Sequence, residues 1–481
     1  MEPNTQNAKT IFLTVNSGVN VRNILRGNVL ATLRRSGHRI VILSPTWNDP
    51  SFRKEFSGER VAIEPLHVHK PGWLERKLNM LRFTLFPDLC DTLRIVYQPT
   101  VERSALKNTI VHVALAAVRV VGQTRAARAL RWISAVLFAD RYHGELFRRY
   151  KPDVVCVTEV FNFAPDVWIL RRARREGVPT VFLVRSWDNL TTKGVFPAWP
   201  DKLVVWSDTM KREAMELHGF RDEDVFVGGV PHFDFYTDVA NLPSREEFFR
   251  RIGADPSKKL ITYALVPPTR VPNEMQVVED LWKAMQQGEL AFPSQLLVRL
   301  YPVRNVEVPA HLRNQPGLVF DLPPGHQTFS DSDMSIADLR HLVATMRYSD
   351  VVLNMASTIS VDAAAVDTPV VCVAFDGREP QPYHRSVLMH YDLTHFKRLV
   401  PLGGFRRANT LQELVAHINA YLRDPSLDRA GRRRIVESEC QTLDGRAGER
   451  VANYVLDQIE RHSEMLREKG ALATGQSAQR V

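Results

Sequence analysis

Near the start of the chain, apolar positions fall in short runs separated by segments of helical spacing. Thr10 to Val15 is a compact apolar run, Asn16 to Asn23 supplies turn residues, and Ile24 to Arg35 repeats apolar side chains every three or four positions. Gly37 closes that helix, and His38 to Leu43 is the next run. Short apolar runs bounded by turn residues read as buried strands, and 3–4 spacing reads as an amphipathic helix. Strand, helix and strand with short connections form a βαβ unit and predict a parallel sheet.

The rhythm continues. Lys151 to Thr158, Val178 to Val184, Asp201 to Ser207 and Asp224 to Gly229 are strand-like runs separated by helical stretches. A segment rich in Pro, Asp and Asn follows (229–244), after which Lys258 to Val266 opens a second α/β set. That set runs through Ser294–Pro302, Gly317–Pro323, Asp350–Met355 and Pro369–Phe375. The expected fold class is therefore α/β, with two doubly wound, Rossmann-like domains facing a cleft. Residues 1–235 make the first domain, interrupted by a helical insertion at 66–150, and residues 236–425 make the second. Helices over 426–470 finish the second domain, and 471–481 read as a disordered tail.

A chain of 481 residues is long enough for two or three domains, and 44% apolar with 24% charged residues is an ordinary globular composition. Cys90, Cys156, Cys372 and Cys440 lie too far apart for a zinc or redox motif, and three sit in or beside apolar runs. Reduced structural thiols are expected. The polar start and the lack of any run near ~18 apolar residues predict a cytoplasmic protein, soluble or peripheral on the inner face of the plasma membrane. The net charge is +9, and residues 66–151 hold 15 Lys/Arg against 6 Asp/Glu, so the whole excess lies there. One basic segment favours an anionic membrane or a lipid-linked phosphate over nucleic acid, for which the aromatic and glycine pattern is missing. A solvated Arg-rich insertion is the plain alternative.

Polar clusters stand where the predicted strands end, the edge at which open parallel sheets bind ligands. After Asn354, the residues Ser357, Thr358 and Ser360 crowd a helix start with Asp362 in its first turn. Free N–H groups and hydroxyls there suit a diphosphate, although an ordinary capped helix has the same residues. Arg299 and Tyr301 end one strand, and Thr269 and Arg270 follow another. Together they outline a donor site. In the first domain, Ser17, Gly18 and Arg22 follow the first strand, and Glu159 and Asn162 follow another. Residues 184–194, V-R-S-W-D-N-L-T-T-K-G, put Trp187, Asp188, Asn189 and Lys193 directly after a strand, more chemistry than a bend requires. An Asx turn at Asp188 is the plain alternative. His67 and His69 alternate without a third ligand, and there is no Asp-x-Asp, so no metal site is expected.

Four segments, in order, resemble the CDP-glycerol glycerophosphotransferase-like branch of the GT-B nucleotide-sugar transferases. G229-V-P-H-F-D is similar to a Gly-x-Pro-Arg-x-Asp hinge, and I261-T-Y-A-L-V-P-P-T-R to a Leu-Tyr-Ala-Pro-Thr-x-Arg strand. V298-R-L-Y-P sits where that branch has Lys-Leu-His-Pro, and S349-D-V-V-L-N-M-A-S-T-I-S-V-D resembles its Ser-Asp-x-Leu-Ile-Thr-Asp-Tyr-Ser-Ser-x-x-x-Asp. The branch's Trp-His-Gly-x-x-x-Lys motif falls on Trp187 to Lys193, so Asp188 stands in place of one histidine and Tyr301 in place of a second.

The resemblance implies a metal-independent GT-B glycosyltransferase with no cofactor beyond its nucleotide-sugar donor. Its second domain would hold the diphosphate, and its first would bring a glycan or lipid-linked hydroxyl to Asp188, or to Glu159, as general base. Envelope polysaccharide synthesis is the expected setting. Glycerophosphate transfer, UDP-hexosamine 2-epimerisation by Glu159 and Asp188 as a pair, and a non-catalytic glycan-binding protein are the rival readings.

Overall fold

The computed structural model describes residues 8–97, 105–161, 164–301, 308–321 and 333–478. They divide into two compact units, one of residues 1–87, 99–232 and 446–481, the other of residues 88–98 and 233–445.

In unit 1 the apolar runs become β1 (Thr10–Thr14), β2 (Arg39–Ser44), β3 (Val61–Pro65), β4 (Val154–Val157), β5 (Thr180–Leu183), β6 (Lys202–Val205) and β7 (Val225–Val227). All pair in parallel in the order β3-β2-β1-β4-β5-β6-β7. The order reverses between β1 and β4, where Ile11, Phe12 and Leu13 stand beside Val154, Val155 and Cys156. β1 and β4 are fully buried, as continuous apolar runs in a sheet covered on both faces require.

Unit 2 repeats the plan with β8 (Lys259–Ala264), β9 (Ser294–Arg299), β10 (Leu318–Asp321), β11 (Val351–Asn354), β12 (Val370–Val373) and β13 (Arg406–Ala408). The order is β10-β9-β8-β11-β12-β13, again parallel, with the reversal between β8 and β11. Two doubly wound α/β units are thus present, as the sequence predicts.

The ends of the chain and the insertion differ from expectation. The last helix, Ala447–Ala478, belongs to unit 1 rather than finishing unit 2. It packs on the helix Asn28–Arg35, Tyr454 stacks on Phe226 at 4.2 Å, and a Cβ on Gly448 would meet Asn28 Cβ at 2.8 Å. It also enters the stretch expected as a tail, because Glu464 to Ala473 is rich in Glu, Leu, Arg, Lys and Ala, strong helix formers. Residues 479–481 lie outside the described residues.

The described part of the basic insertion is mainly helical, with Trp73–Thr84, Ala105–Val121, Gln123–Leu137 and Gly144–Tyr150 in unit 1. The helix Asp91–Tyr97 instead belongs to unit 2, where Thr92 and Thr394 exchange backbone-to-hydroxyl bonds of 3.0 and 2.9 Å. Arg82 is turned inward, 2% exposed, its Nε donating to the Val195 carbonyl at 2.6 Å. Gly194 takes φ +67, and a Cβ there would lie 2.7 Å from the Arg82 carbonyl, so the strand-end loop and the insertion touch through glycine. All four cysteines are buried. None of the described helices is long and apolar enough to cross a membrane.

Candidate functional site

The reversal point of unit 1 is organised by a residue that sequence patterning left out. Asp166 opens the helix Asp166–Glu176 and is 0% exposed. It accepts from the Thr14 hydroxyl at the end of β1, from Asn16 Nδ2 at 2.6 Å, and from the Thr158 and Glu159 backbone N–H groups at 3.0 and 3.2 Å. One carboxylate therefore ties the ends of β1 and β4 together. Burial raises its pKa, opposed by those hydrogen bonds. In the sequence, Ala-Pro-Asp ahead of an apolar helix reads only as a helix start.

Glu159, held by that arrangement, is buried and forms a 2.8 Å ion pair with Arg185 at the end of β5. Its other oxygen accepts from the Phe161 N–H at 3.2 Å. Arg185 also reaches the Ser17 hydroxyl at 3.5 Å, and its carbonyl accepts from Asn23 Nδ2 at 3.0 Å. Arg22 joins through a 2.8 Å bond from its Nε to Asn23 Oδ1. Burial pushes the Glu159 carboxyl up, and the cations Arg185 and Lys193 only partly offset it, while Asp166 adds to the rise. Ser17, Glu159 and Arg185 thus form one cluster beyond the β1/β4 reversal, where doubly wound sheets bind ligands. Asn162 lies outside the described residues.

Asp188 occupies the N-cap position of the short helix Asn189–Thr192, and its side chain makes no capping hydrogen bond to that helix. Ser186 donates to its Oδ1 and Thr192 to its Oδ2, the latter at 3.1 Å. A half-buried carboxylate held by two hydroxyls has a fixed orientation and remains partly open to solvent. Its neighbours are used otherwise. Trp187 and Asn189 are each 2% exposed and Gly18 is buried, so they shape the loop from inside rather than presenting a face to an acceptor. Lys193 is half-buried, and its carbonyl lies 3.4 Å from Arg82.

In unit 2 the reversal point falls at Asn354, the last residue of β11. Its Oδ1 accepts from Ser357 N at 3.2 Å, from Ser357 Oγ at 3.3 Å and from Ser360 Oγ at 3.1 Å. Ala356, in the turn before the helix Ile359–Ala365, takes φ +38, a strained setting for an L residue. The network holds the strand-to-helix turn in one conformation, with Ser357 and Thr358 half-buried at its surface.

Three expected donor residues are used inside the fold. Ser360 is 1% exposed with its hydroxyl directed to Asn354. Asp362 is buried and accepts from the Tyr236 hydroxyl. Arg299 is 7% exposed and pairs with Asp321 at 2.7 Å, and Asp321 is also bonded to His341 at 3.0 Å. Burial raises the Asp321 carboxyl, but the His341 hydrogen bond and the charges of Arg299 and His341 outweigh it and leave it below the ordinary range. Buried carboxylates need such partners, and a sequence does not reveal them. Thr269 and Arg270 are exposed after β8, and Tyr301 is half-buried after β9. Among the described residues no three His, Cys, Asp or Glu side chains gather as a metal site.

Three solved structures share this fold across nearly the whole chain. A glycosyltransferase from Rickettsia africae superposes with a TM-score of 0.50 at 14% identity, over 94% of this chain and 99% of that one. The UDP-GlcNAc 2-epimerase of Neisseria meningitidis, bound to UDP-GlcNAc, gives 0.51 at 11% identity, over 93% and 100%. A variant of the wall teichoic acid polymerase TagF gives 0.50 at 11% identity, over 96% and 92%. Among curated proteins, none matches the sequence. The family model described as CDP-glycerol:poly(glycerophosphate) glycerophosphotransferase matches residues 195–457, more than half of the chain, and the protein belongs to that family.

Proposed function

We propose that the protein transfers a sugar from a nucleotide-diphosphate donor to a hydroxyl of a glycan or lipid-linked acceptor, with Asp188 as general base. Unit 2 would take the donor at the turn built on Asn354, through Ser357, Thr358 and the exposed Thr269 and Arg270. Unit 1 would take the acceptor beside Ser17, Arg185 and Glu159. The observation that carries the reading is the Asp188 carboxylate, fixed by Ser186 and Thr192 at the end of β5 while staying partly exposed. A general base must reach the proton it removes, and an oriented, accessible carboxylate meets that condition. Glu159, committed to Arg185, suits holding the acceptor-side cation in place. Donor charge would be met by hydrogen bonds and cations, with no step assigned to a metal.

Glycerophosphate transfer is the second reading, and family membership favours it. The two differ in the bond broken. Sugar transfer cleaves the bond from the sugar carbon to the diphosphate oxygen and releases a nucleoside diphosphate. Glycerophosphate transfer cleaves the phosphoanhydride and releases a nucleoside monophosphate. Incubation with CDP-glycerol and with UDP-, GDP- and CDP-sugars, in the presence of membrane extract as acceptor, is read by chromatography of the released nucleotide. Nucleoside diphosphate from a sugar donor supports the first reading. CMP from CDP-glycerol alone replaces it with the second. The expected cellular setting, envelope polysaccharide synthesis at the inner face of the plasma membrane, rests on this reading and on the basic segment 66–151.

A further inference from the structure

A cavity of about 510 Å³ lies in unit 1. Its walls come from the helix Gln123–Leu137, the second half of Asp166–Glu176, and the segments 197–199 and 219–224. Those segments lead into β6 and β7, which places the cavity at the start of the strands, whereas the candidate site follows their ends. Four arginines, Arg128, Arg131, Arg171 and Arg174, line it without a carboxylate partner within ion-pair distance among the described residues, and Glu75 acts on Arg171 only from farther off. The one acidic lining residue, Asp224, is already bonded to Lys202 at 2.6 Å and Arg221 at 2.7 Å.

Three of the arginines are held, not merely gathered. Arg171 is 8% exposed, donates to the Phe138 carbonyl at 2.9 Å and the Pro197 carbonyl at 3.4 Å, and has a buried Nε without a partner. Arg131 lies over the Trp199 ring at 4.5 Å, and Trp199 stacks on Phe220 at 4.0 Å. Arg174 donates to the Trp199 carbonyl at 3.4 Å. Burial and the neighbouring charges of Arg128 and Arg174 pull the Arg131 pKa down to about 10. Like charges confined this way are costly unless an anion sits among them. Trp132, 68% exposed at the rim, gives the opening an apolar lip.

We infer that this cavity is a second anion site, which takes a phosphate or diphosphate group with Arg128, Arg131, Arg171 and Arg174 as its ligands. Guanidinium groups match phosphate oxygens in charge and geometry. The inference stands apart from the transfer reaction, since none of its residues belongs to the candidate site. The phosphate could be free or could be the headgroup of a lipid. Calorimetric titration of the full chain with sodium pyrophosphate, and flotation with phosphatidylcholine vesicles with and without 20 mol% phosphatidic acid (about one lipid in five), separate these sources.

The test variants are Arg128→Gln, at an exposed helix position that leaves folding intact, and the pair Arg128→Gln with Arg131→Gln. Pyrophosphate affinity should fall by about threefold in the single variant and at least about tenfold in the pair, the weakening expected when charge-assisted bonds to phosphate are removed. Pyrophosphate binding without flotation supports a soluble ligand. Flotation that requires phosphatidic acid and is lost in the pair supports a lipid headgroup. Binding of neither probe, or binding unchanged in both variants, overturns the inference.

Discussion

Arg185 and Glu159 pair at 2.8 Å, yet the Glu159 carboxyl stays above its ordinary pKa because burial outweighs the cation. A carboxyl raised by burial beside a cation at a strand end is a candidate functional group. If Glu159 supplies the base or holds Arg185 for the acceptor, Glu159→Gln should lower turnover about 10- to 100-fold, at the lower end of general-base effects. Activity falls as the group is protonated, so its acid limb lies above the ordinary glutamate range, and the variant should lose that limb. A pH–rate profile decides it. An acid limb that stays in place in the variant does not belong to Glu159.

Asp188→Asn makes a sharper test of the base. Ser186 and Thr192 hydroxyls can reorient to bond the amide, so the loop should keep its shape and stability should change by no more than about 1 kcal/mol. Turnover should drop by about 10²- to 10⁴-fold with donor affinity unchanged. Steady-state kinetics together with thermal unfolding check both halves. A variant with more than a tenth of wild-type turnover would remove Asp188 from the mechanism.

Glu274 in unit 2 is 3% exposed; Oε2 accepts from the Val266 N–H at 2.8 Å and Oε1 has no partner. Burial holds its pKa well above 4.5. The sign follows from proton uptake. Above the ordinary glutamate pKa the unfolded chain has released the proton that the folded chain still holds, so stability falls as pH rises until the folded group ionises as well. Glu274→Gln keeps an acceptor for Val266 and has no proton to lose. Relative to the variant, the wild type should lose stability with rising pH at up to about 1.4 kcal/mol per pH unit, the value for one proton. Urea unfolding across a pH series measures the slope, and parallel curves would show that Glu274 ionises normally in the folded state.

How far the sequence speaks depends on how local the physics is. Period and punctuation located eleven strands, because β1 to β12 apart from β3 are apolar runs bounded by turn residues. Two of the four edge strands escaped: β3 is only partly buried and ends in Pro65, and β13 is Arg406-Arg407-Ala408, with one buried residue. The return of Ala447–Ala478 to unit 1 depends on Tyr454 meeting Phe226 and Gly448 meeting Asn28, contacts between distant segments. The site followed the same rule. The strand-end positions of Asp188, Glu159 and Ser357 were legible because strand ends were legible. Asp166 was not, since its bonds to Thr14, Asn16 and Thr158 join three segments, and neither was the capture of Arg299 by Asp321.

Ser357 and Ser360 read alike in the sequence, but the structure gives them different work. Both bond Asn354 Oδ1, at 3.3 and 3.1 Å. Ser360 is 1% exposed and faces Cys372, whereas Ser357 is half-buried with its Oγ 3.3 Å from the Ile359 N–H at the helix entry. Ser360→Ala removes a buried bond and leaves Asn354 short of a donor, so stability should fall by about 1–2 kcal/mol. Ala should leave the turn and its outward groups in place, with nucleotide affinity nearly unchanged. Ser357→Ala removes a hydroxyl beside the proposed diphosphate, and nucleotide affinity should fall about 3- to 10-fold, the loss of one hydrogen bond to a charged group. Calorimetry with CDP and UDP, paired with urea unfolding, reads both quantities on the same samples. If Ser360→Ala weakens the nucleotide more than Ser357→Ala does, the donor does not sit at this turn.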